Sequence, residues 1–97
     1  MIRLFRVSGR SMLPTLEDGD FFLALAVRNP LSLKPGTVVR LIHPHFGPMV
    51  KRLSGYDQHH HILLSSDGQT GADSADLGTI PAQAITHRML FRIPRRR

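Results

Sequence analysis

Ninety-seven residues with an apolar fraction of 41% predict one small domain, residues 1–97, with a single hydrophobic core. The lack of cysteine excludes disulfides and thiolate metal sites, and the longest apolar run, FFLALAV at residues 21–27, is far shorter than the roughly 20 residues that span a bilayer. The net charge of +6 favours an acidic partner surface, although four of the arginines lie in a terminal segment, RIPRRR at 92–97, that is typical of a solvated basic tail.

Nucleic acid is not an expected partner, because Tyr56 is the only tyrosine and there is no tryptophan to stack on bases. The N-terminal MIRLFRVSGR carries arginines among its apolar residues and has no hydrophobic block of signal-peptide length. We therefore expect a soluble, cytoplasmic protein without a transmembrane segment, in which the basic tail at 92–97 could make a peripheral contact with a membrane.

The predicted elements are mostly strands, because apolar and polar residues alternate with a period of two or form short β-branched runs. In chain order the strands are IRLFRV (2–7), DFFLALAV (20–27), TVVRLIH (37–43), MVKRLSG (49–55) and HHILLS (60–65). AITHRMLFRI (84–93) is consistent with a closing strand or a short helix, and its β-branched and aromatic residues favour the strand. The turn PHFGP at 44–48 makes residues 37–55 a predicted hairpin, and the Gly- and Asp-rich segment at 66–78 is a predicted loop. The fold class is therefore all-β, with one short helical turn expected directly after Ser11.

The segment SGRSMLPTLEDGD at 8–20 places Ser11 on a bend shaped by Pro14 and Gly19. A capped turn is the simplest interpretation. The alternative is a nucleophile held on a rigid bend, and that alternative needs a basic partner elsewhere in the chain.

Lys51 is a candidate for that partner, because the chain has eleven arginines and only two lysines. Arginine keeps its proton in a protein, whereas a desolvated lysine can lose its proton and act as a general base. Lys51 lies between Val50 and Arg52 on an apolar strand, where an edge lysine with its ammonium in water is the simpler interpretation. Together with Ser11, however, it forms a candidate serine–lysine dyad.

A Ser/His/Asp arrangement is an open alternative, because six histidines are present. They are His43, His45, His59, His60, His61 and His87. No motif places any of them, and GRSML lacks the second glycine of a G-x-S-x-G elbow. The consecutive histidines at 59–61 would point alternately from a strand, so they are interpreted as an exposed hairpin end and not as a metal site.

Three segments resemble the boxes of the signal peptidase I and LexA-type serine peptidases. SGRSMLPTLEDGD matches every defined position of the nucleophile box G-x-S-M-x-P-T-L-x-x-G-D, and MVKRLSG resembles the lysine box. SDGQTGADSADLGTIP resembles the later signal-peptidase box, roughly G-D-N, D-S-R and G-x-V-P, which favours that branch; Ala75 stands in place of the box's arginine. With no anchor segment and no extra β-domain, the chain is similar to the soluble proteases that are proposed to mature nickel-type superoxide dismutase.

The resemblance implies a small signal-peptidase-like catalytic β-domain and a serine endopeptidase that removes an N-terminal leader from a protein substrate. A nickel superoxide dismutase precursor is a candidate substrate. Ser11 would be the nucleophile and Lys51 the general base, with no cofactor and no metal. The polypeptide substrate would bind as an extended added strand.

The resemblance also implies supporting roles for residues around the dyad. Met12 would shield the lysine from solvent, while Asp73 and Ser74 would brace the dyad. Gly9 stands where some of these peptidases have a serine that helps to form the oxyanion hole, so Ser8 or the backbone N–H of Ser11 would have to supply that donor.

Two other functions remain open from the sequence. One is a LexA-like self-cleaving or regulatory domain, which would need a cleavable segment and a DNA-binding region upstream of Ser11. The other is a non-catalytic binding module that keeps the fold and uses the basic tail for contacts.

Overall fold

The computed structural model describes residues 1–68 and 74–94 of the chain. Within them, six strands form one antiparallel sheet in the order β1-β2-β6-β3-β4-β5. The strands are β1 (Ile2–Arg6), β2 (Phe21–Ala26), β3 (Val38–His43), β4 (Gly47–Tyr56), β5 (Ile62–Ser65) and β6 (Ile85–Ile93). The predicted all-β class is confirmed, and every strand lies where the alternating pattern predicted one.

Short helical segments are the only other regular elements in the described part of the chain. They are two 3₁₀ turns, Pro30–Ser32 and Ala82–Ala84, and one α-helix, α1 (Ser74–Leu77). Helix α1 lies inside the segment 66–78 that was predicted to be a loop. Its last residue, Leu77, is buried in the core, which gives this one-turn helix a packing role that the polar sequence around it did not indicate.

The β3–β4 hairpin was predicted over residues 37–55 and is confirmed, with Val39 opposite Lys51 and His43 opposite Gly47. The predicted turn at 44–48 is shorter in the structure because Gly47 and Pro48 already belong to β4. Gly47 has a φ of 74°, a left-handed value that glycine adopts without a steric penalty, so the chain can reverse there and pair at once.

Two apolar clusters lie on opposite faces of the sheet. Val38 belongs to one cluster with Met12, Leu16 and Phe22, while its neighbour Val39 belongs to the other. Adjacent residues of a strand point to opposite faces, so this division follows directly from the pleat. The first cluster anchors the loop that carries Ser11, and the second supports the lysine-bearing strand from the other side.

Candidate active site

The loop that carries Ser11 joins β1 to β2 and is closed at its base by backbone hydrogen bonds. The N–H of Val7 donates to the carbonyl of Asp20 at 2.7 Å, and the N–H of Gly19 donates to the carbonyl of Val7 at 2.9 Å. The buried carboxylate of Asp20 accepts the N–H of Glu17 at 2.8 Å and lies 2.8 Å from Nε of Arg92 on β6. The bend predicted from the sequence is therefore a closed loop with a buried anion at its base.

The segment after Ser11 is a run of turns that contains the one short helical turn predicted there. Its helical character is limited to one bond from the N–H of Leu16 to the carbonyl of Met12 at 2.9 Å. The peptide bond before Pro14 is cis. Met12 and Leu16 are almost fully buried, so their packing in the core fixes the loop.

Ser11 and Lys51 line the same cavity, which has a volume of about 160 Å³. Ser8, Gly9 and Met12 contribute to the wall on the loop side. Ser11 is half-buried, so a substrate can reach its hydroxyl, while Met12 lies beneath with only 2% of its surface exposed. The two residues of the predicted dyad thus come from separate parts of the sequence to one cavity.

Lys51 is buried, with 5% of its surface exposed, and its Nζ donates a hydrogen bond to Oγ of Ser66 at 2.7 Å. A solvated edge lysine, which was the simpler interpretation, is wrong for this side chain. Sequence reasoning missed Ser66. Arg52 of β4 pairs with Ser65 of β5, and this register brings Ser66, the next residue, beside Lys51. The register could not be derived from the sequences of the two strands alone.

An ion pair joins β4 to the segment after β5. The guanidinium of Arg52 donates two bonds to the carboxylate of Asp67, at 2.8 Å and 2.6 Å, and the hydroxyl of Thr15 donates to the same carboxylate. Hydrogen bonding from Arg52, supported by Thr15, lowers the pKa of Asp67 below its ordinary value, although burial opposes the shift. These contacts connect the loop that carries Ser11 to β4, the strand that carries Lys51.

The backbone of Gly68 lies against the backbone of the Ser11 loop. Its N–H donates to the carbonyl of Ser11 at 2.7 Å, and a Cβ added at Gly68 would lie 2.5 Å from the carbonyl oxygen of Arg10. Any larger residue would therefore force the backbone at Arg10 and Ser11 or the segment at Gly68 to shift. The sequence shows a glycine after Asp67, but it does not show that the close backbone contact at this position requires glycine.

Replacing Asp67 with asparagine is expected to reduce the free energy of unfolding by about 1–2 kcal/mol at neutral pH, because a bidentate charged pair becomes a neutral contact. A folded-state pKa below the unfolded value means that this stabilisation is present above the unfolded pKa and is lost as the pH falls through the folded pKa. Thermal unfolding should therefore separate wild type from Asp67→Asn by several degrees at neutral pH and by less under strongly acidic conditions. An equal separation at both pH values would contradict the assignment.

The remaining predicted support residues have different outcomes. Ser8 and Gly9 both line the cavity, and Gly9 adopts a φ of 89° while its N–H donates to Oδ1 of Asp18 at 2.9 Å. Asp73 and the side chain of Ser74 lie outside the described residues. The predicted contact of Ser74 with Lys51 therefore stays a prediction.

None of the six histidines, all of which are described, lines the cavity that holds Ser11. His43 is buried, and its Nδ1 accepts the N–H groups of His45 and Phe46, so Nε2 carries the proton that bonds to the carbonyl of Leu77 at 2.8 Å. His61 pairs with Asp57 in the β4–β5 hairpin at 3.2 Å. These histidines have structural partners at a distance from Ser11, which favours the lysine as the base.

Two strand edges border the cavity without a neighbouring strand among the described residues. Strand β1 pairs only with β2, and residues 47–51 of β4 pair only with β3, because the β4–β5 pairing begins at Arg52. Side chains from both edges line adjoining cavities, so the curled sheet leaves an opening between β1 and the first half of β4. Each edge offers unpaired backbone groups, as strand edges do.

No model of a known protein family matches the chain, and no curated protein matches it significantly. The peptidase assignment therefore depends on the residues and their geometry.

In residues 1–68 and 74–94, no helix has the length and apolar character needed to cross a membrane. The same residues contain no group of three or more His, Asp or Glu side chains arranged to hold a metal ion.

Proposed function

We propose that the protein is a serine endopeptidase in which Ser11 is the nucleophile and Lys51 is the general base. The observation that carries the proposal is the burial of Lys51 in the wall of the cavity that Ser11 also lines. Burial disfavours the charged form of an amine, and a neutral amine beside a serine hydroxyl can accept its proton. A surface lysine would have no such tendency.

In the proposed mechanism, Lys51 accepts the hydroxyl proton of Ser11 as Oγ attacks the carbonyl carbon of the scissile peptide bond. The ammonium of Lys51 then gives this proton to the leaving amine, the C–N bond breaks, and an acyl-enzyme remains on Ser11. Lys51 next accepts a proton from water, whose oxygen attacks the ester and releases the second product. The hydrogen bond to Ser66 holds Nζ in position during both proton transfers.

Backbone N–H groups at the bend stabilise the negative charge that develops on the carbonyl oxygen. The N–H of Ser11 is the proposed main donor, because a donor fixed in advance costs little reorganisation during the reaction. The hydroxyl of Ser8 is a second candidate, since Ser8 lines the same cavity. Gly9 is less suitable, because its N–H already bonds to Asp18.

The substrate in this proposal is an extended segment of polypeptide that lies between the open edges of β1 and β4. Added strands bind through main-chain hydrogen bonds, while pockets for alternate side chains give specificity. An N-terminal leader fits this mode because an unfolded segment can enter the opening without disruption of the substrate's fold. The resemblance to leader-removing peptidases makes a nickel superoxide dismutase precursor the first substrate to test.

Cleavage of a proteome-derived peptide library by the purified protein tests the proposal. We expect new peptide termini that require Ser11, and a cleavage rate that rises with pH between about 6 and 10, because the base is active only after the ammonium has lost its proton. Mass spectrometry of the products measures both effects. A library left intact at every pH, or a rate independent of pH across that range, would contradict the dyad.

A further inference from the structure

A second cavity, of about 220 Å³, adjoins the one that contains Ser11 and Lys51. The two cavities share Ser8 on the loop side and residues 48–50 on the β4 side. The second cavity therefore lies along the same opening between the strand edges. A polypeptide that reaches Ser11 in an extended conformation would present a neighbouring side chain to it.

The walls of this second cavity combine aromatic surface with two guanidinium groups. Phe5, Phe22 and Met49 supply the apolar part, and Arg6 and Arg40 supply the cations. The Arg40 guanidinium lies 4.5 Å from the centroid of the Phe5 ring. The cavity thus suits a side chain with a short apolar stem and a negatively charged end.

Two further basic side chains lie against the same ring. The Arg3 guanidinium lies 5.3 Å from the Phe5 centroid, and the His87 ring packs edge-on at 4.8 Å. Burial, together with the nearby Arg3, lowers the pKa of Arg40, and burial together with Arg40 and Arg3 lowers the pKa of His87. In both cases burial is the larger cause, and repulsion from the neighbouring cations acts in the same direction.

The carboxylates within residues 1–68 and 74–94 do not balance this charge. The ion pairs among the described residues involve Arg52, His61 and Arg92, and none includes Arg3, Arg6 or Arg40. Arg40 donates one hydrogen bond, from Nη1 to Oγ1 of Thr86 at 3.0 Å, and this bond orients a fork that has five N–H donors in all. A partly desolvated guanidinium held in this way would gain most from a carboxylate, which it can bind with two parallel bonds.

We propose that the second cavity is a specificity site that accepts an aspartate or glutamate side chain of the substrate, with Arg40 as the residue that recognises the carboxylate. This inference rests on the proposed peptidase function, since it names the class of peptide that the site cleaves. Arg6 and Arg3 add a favourable field, and Phe5 and Phe22 pack against the stem of the acidic side chain. The preferred substrate is therefore a segment with an acidic residue at one fixed position near the cut.

Matched peptides test the specificity without altering the protein. The cleaved peptides of a proteome-derived library should be enriched in Asp or Glu at one fixed position relative to the cut. A synthetic pair that differs only by Glu or Gln at that position should differ by about tenfold in kcat/KM, as expected for a charge-assisted hydrogen bond at a half-buried site. Equal kcat/KM for the two peptides would overturn the proposal while leaving the peptidase function intact.

The Arg40→Gln variant assigns the effect to a residue. It should cleave the Glu and Gln peptides at nearly equal rates. Arg28→Gln is the control, because it makes the same charge change on an exposed residue that follows β2, and it should keep the tenfold difference. In case Arg40→Gln folds poorly, Arg40→Glu provides a second variant, which should prefer Lys over Glu at the same position. A Glu preference that persists in a folded Arg40 variant would contradict the role of Arg40.

A binding measurement distinguishes failure of this inference from failure of the proposed function. N-acetyl-glutamate amide, titrated into the wild-type protein, should shift the NMR resonance of the Arg40 Nε–H group, whereas N-acetyl-glutamine amide should not. That shift without any cleavage of the library would reject the peptidase and retain the carboxylate site. Cleavage without either the shift or a Glu preference would reject the carboxylate site alone.

Discussion

Lys51→Arg is expected to reduce kcat/KM for peptide cleavage by roughly 10³-fold or more, because loss of a general base commonly removes two to four orders of magnitude and arginine cannot take over its role. The variant keeps the positive charge and a long side chain, so only the ability to lose a proton is removed. Cleavage of a library-derived peptide, followed by quantitative mass spectrometry, measures the effect.

Lys34→Arg is the matched control, because Lys34 is the other lysine of the chain and is exposed in the loop before β3. It should retain the wild-type rate. Since a guanidinium is bulkier than an ammonium in a buried site, Lys51→Met serves as a second variant without charge and should also be inactive. Cleavage at the wild-type rate by either folded Lys51 variant would exclude this lysine as the base.

Ser11→Ala is expected to abolish the covalent step and to leave the fold intact, because Ser11 is half-buried and its side chain is not part of either apolar cluster. The rate should fall by at least as much as in Lys51→Arg, since loss of either member disables the pair as a unit. A serine-reactive probe with intact-mass detection should label the wild-type protein once and leave Ser11→Ala unlabelled.

Ser54→Ala provides the control for that experiment, because Ser54 is exposed on β4 beyond the lysine. It should be labelled and should cleave like the wild type. The double variant Ser11→Ala/Lys51→Arg should be no slower than either single variant, as expected when two residues act in one step. Residual activity in Ser11→Ala that is then removed by Lys51→Arg would indicate a different nucleophile.

Local patterns were sufficient to predict the strands and to select the two residues of the proposed dyad. The alternation of apolar and polar residues located all six strands, and the scarcity of lysine among many arginines drew attention to Lys51. Both features are properties of neighbouring residues or of composition. A sequence shows such properties directly.

Contacts that depend on register and curvature could not be predicted. Ser66 reaches Lys51 only because Arg52 pairs with Ser65. Gly68 reaches Ser11 only because the segment after β5 crosses the loop between β1 and β2. The electropositive cavity around Arg40 arises because the curled sheet brings β1 near β4, although these strands are not neighbours in the sheet. Phe5 and Arg40, which both line this cavity, are far apart in the sequence.

Lys51 and Arg52 occupy consecutive positions of β4 and point to opposite faces, so one strand carries both the proposed general base and the cation that binds Asp67. A shift of this strand's pairing by one residue would exchange the faces to which the two side chains point and place the Arg52 guanidinium in the cavity that Ser11 lines. The proposed general base and the ion pair between Arg52 and Asp67 would then be lost together. A deletion of one residue from the hairpin loop should thus be far more damaging to turnover than its surface location suggests.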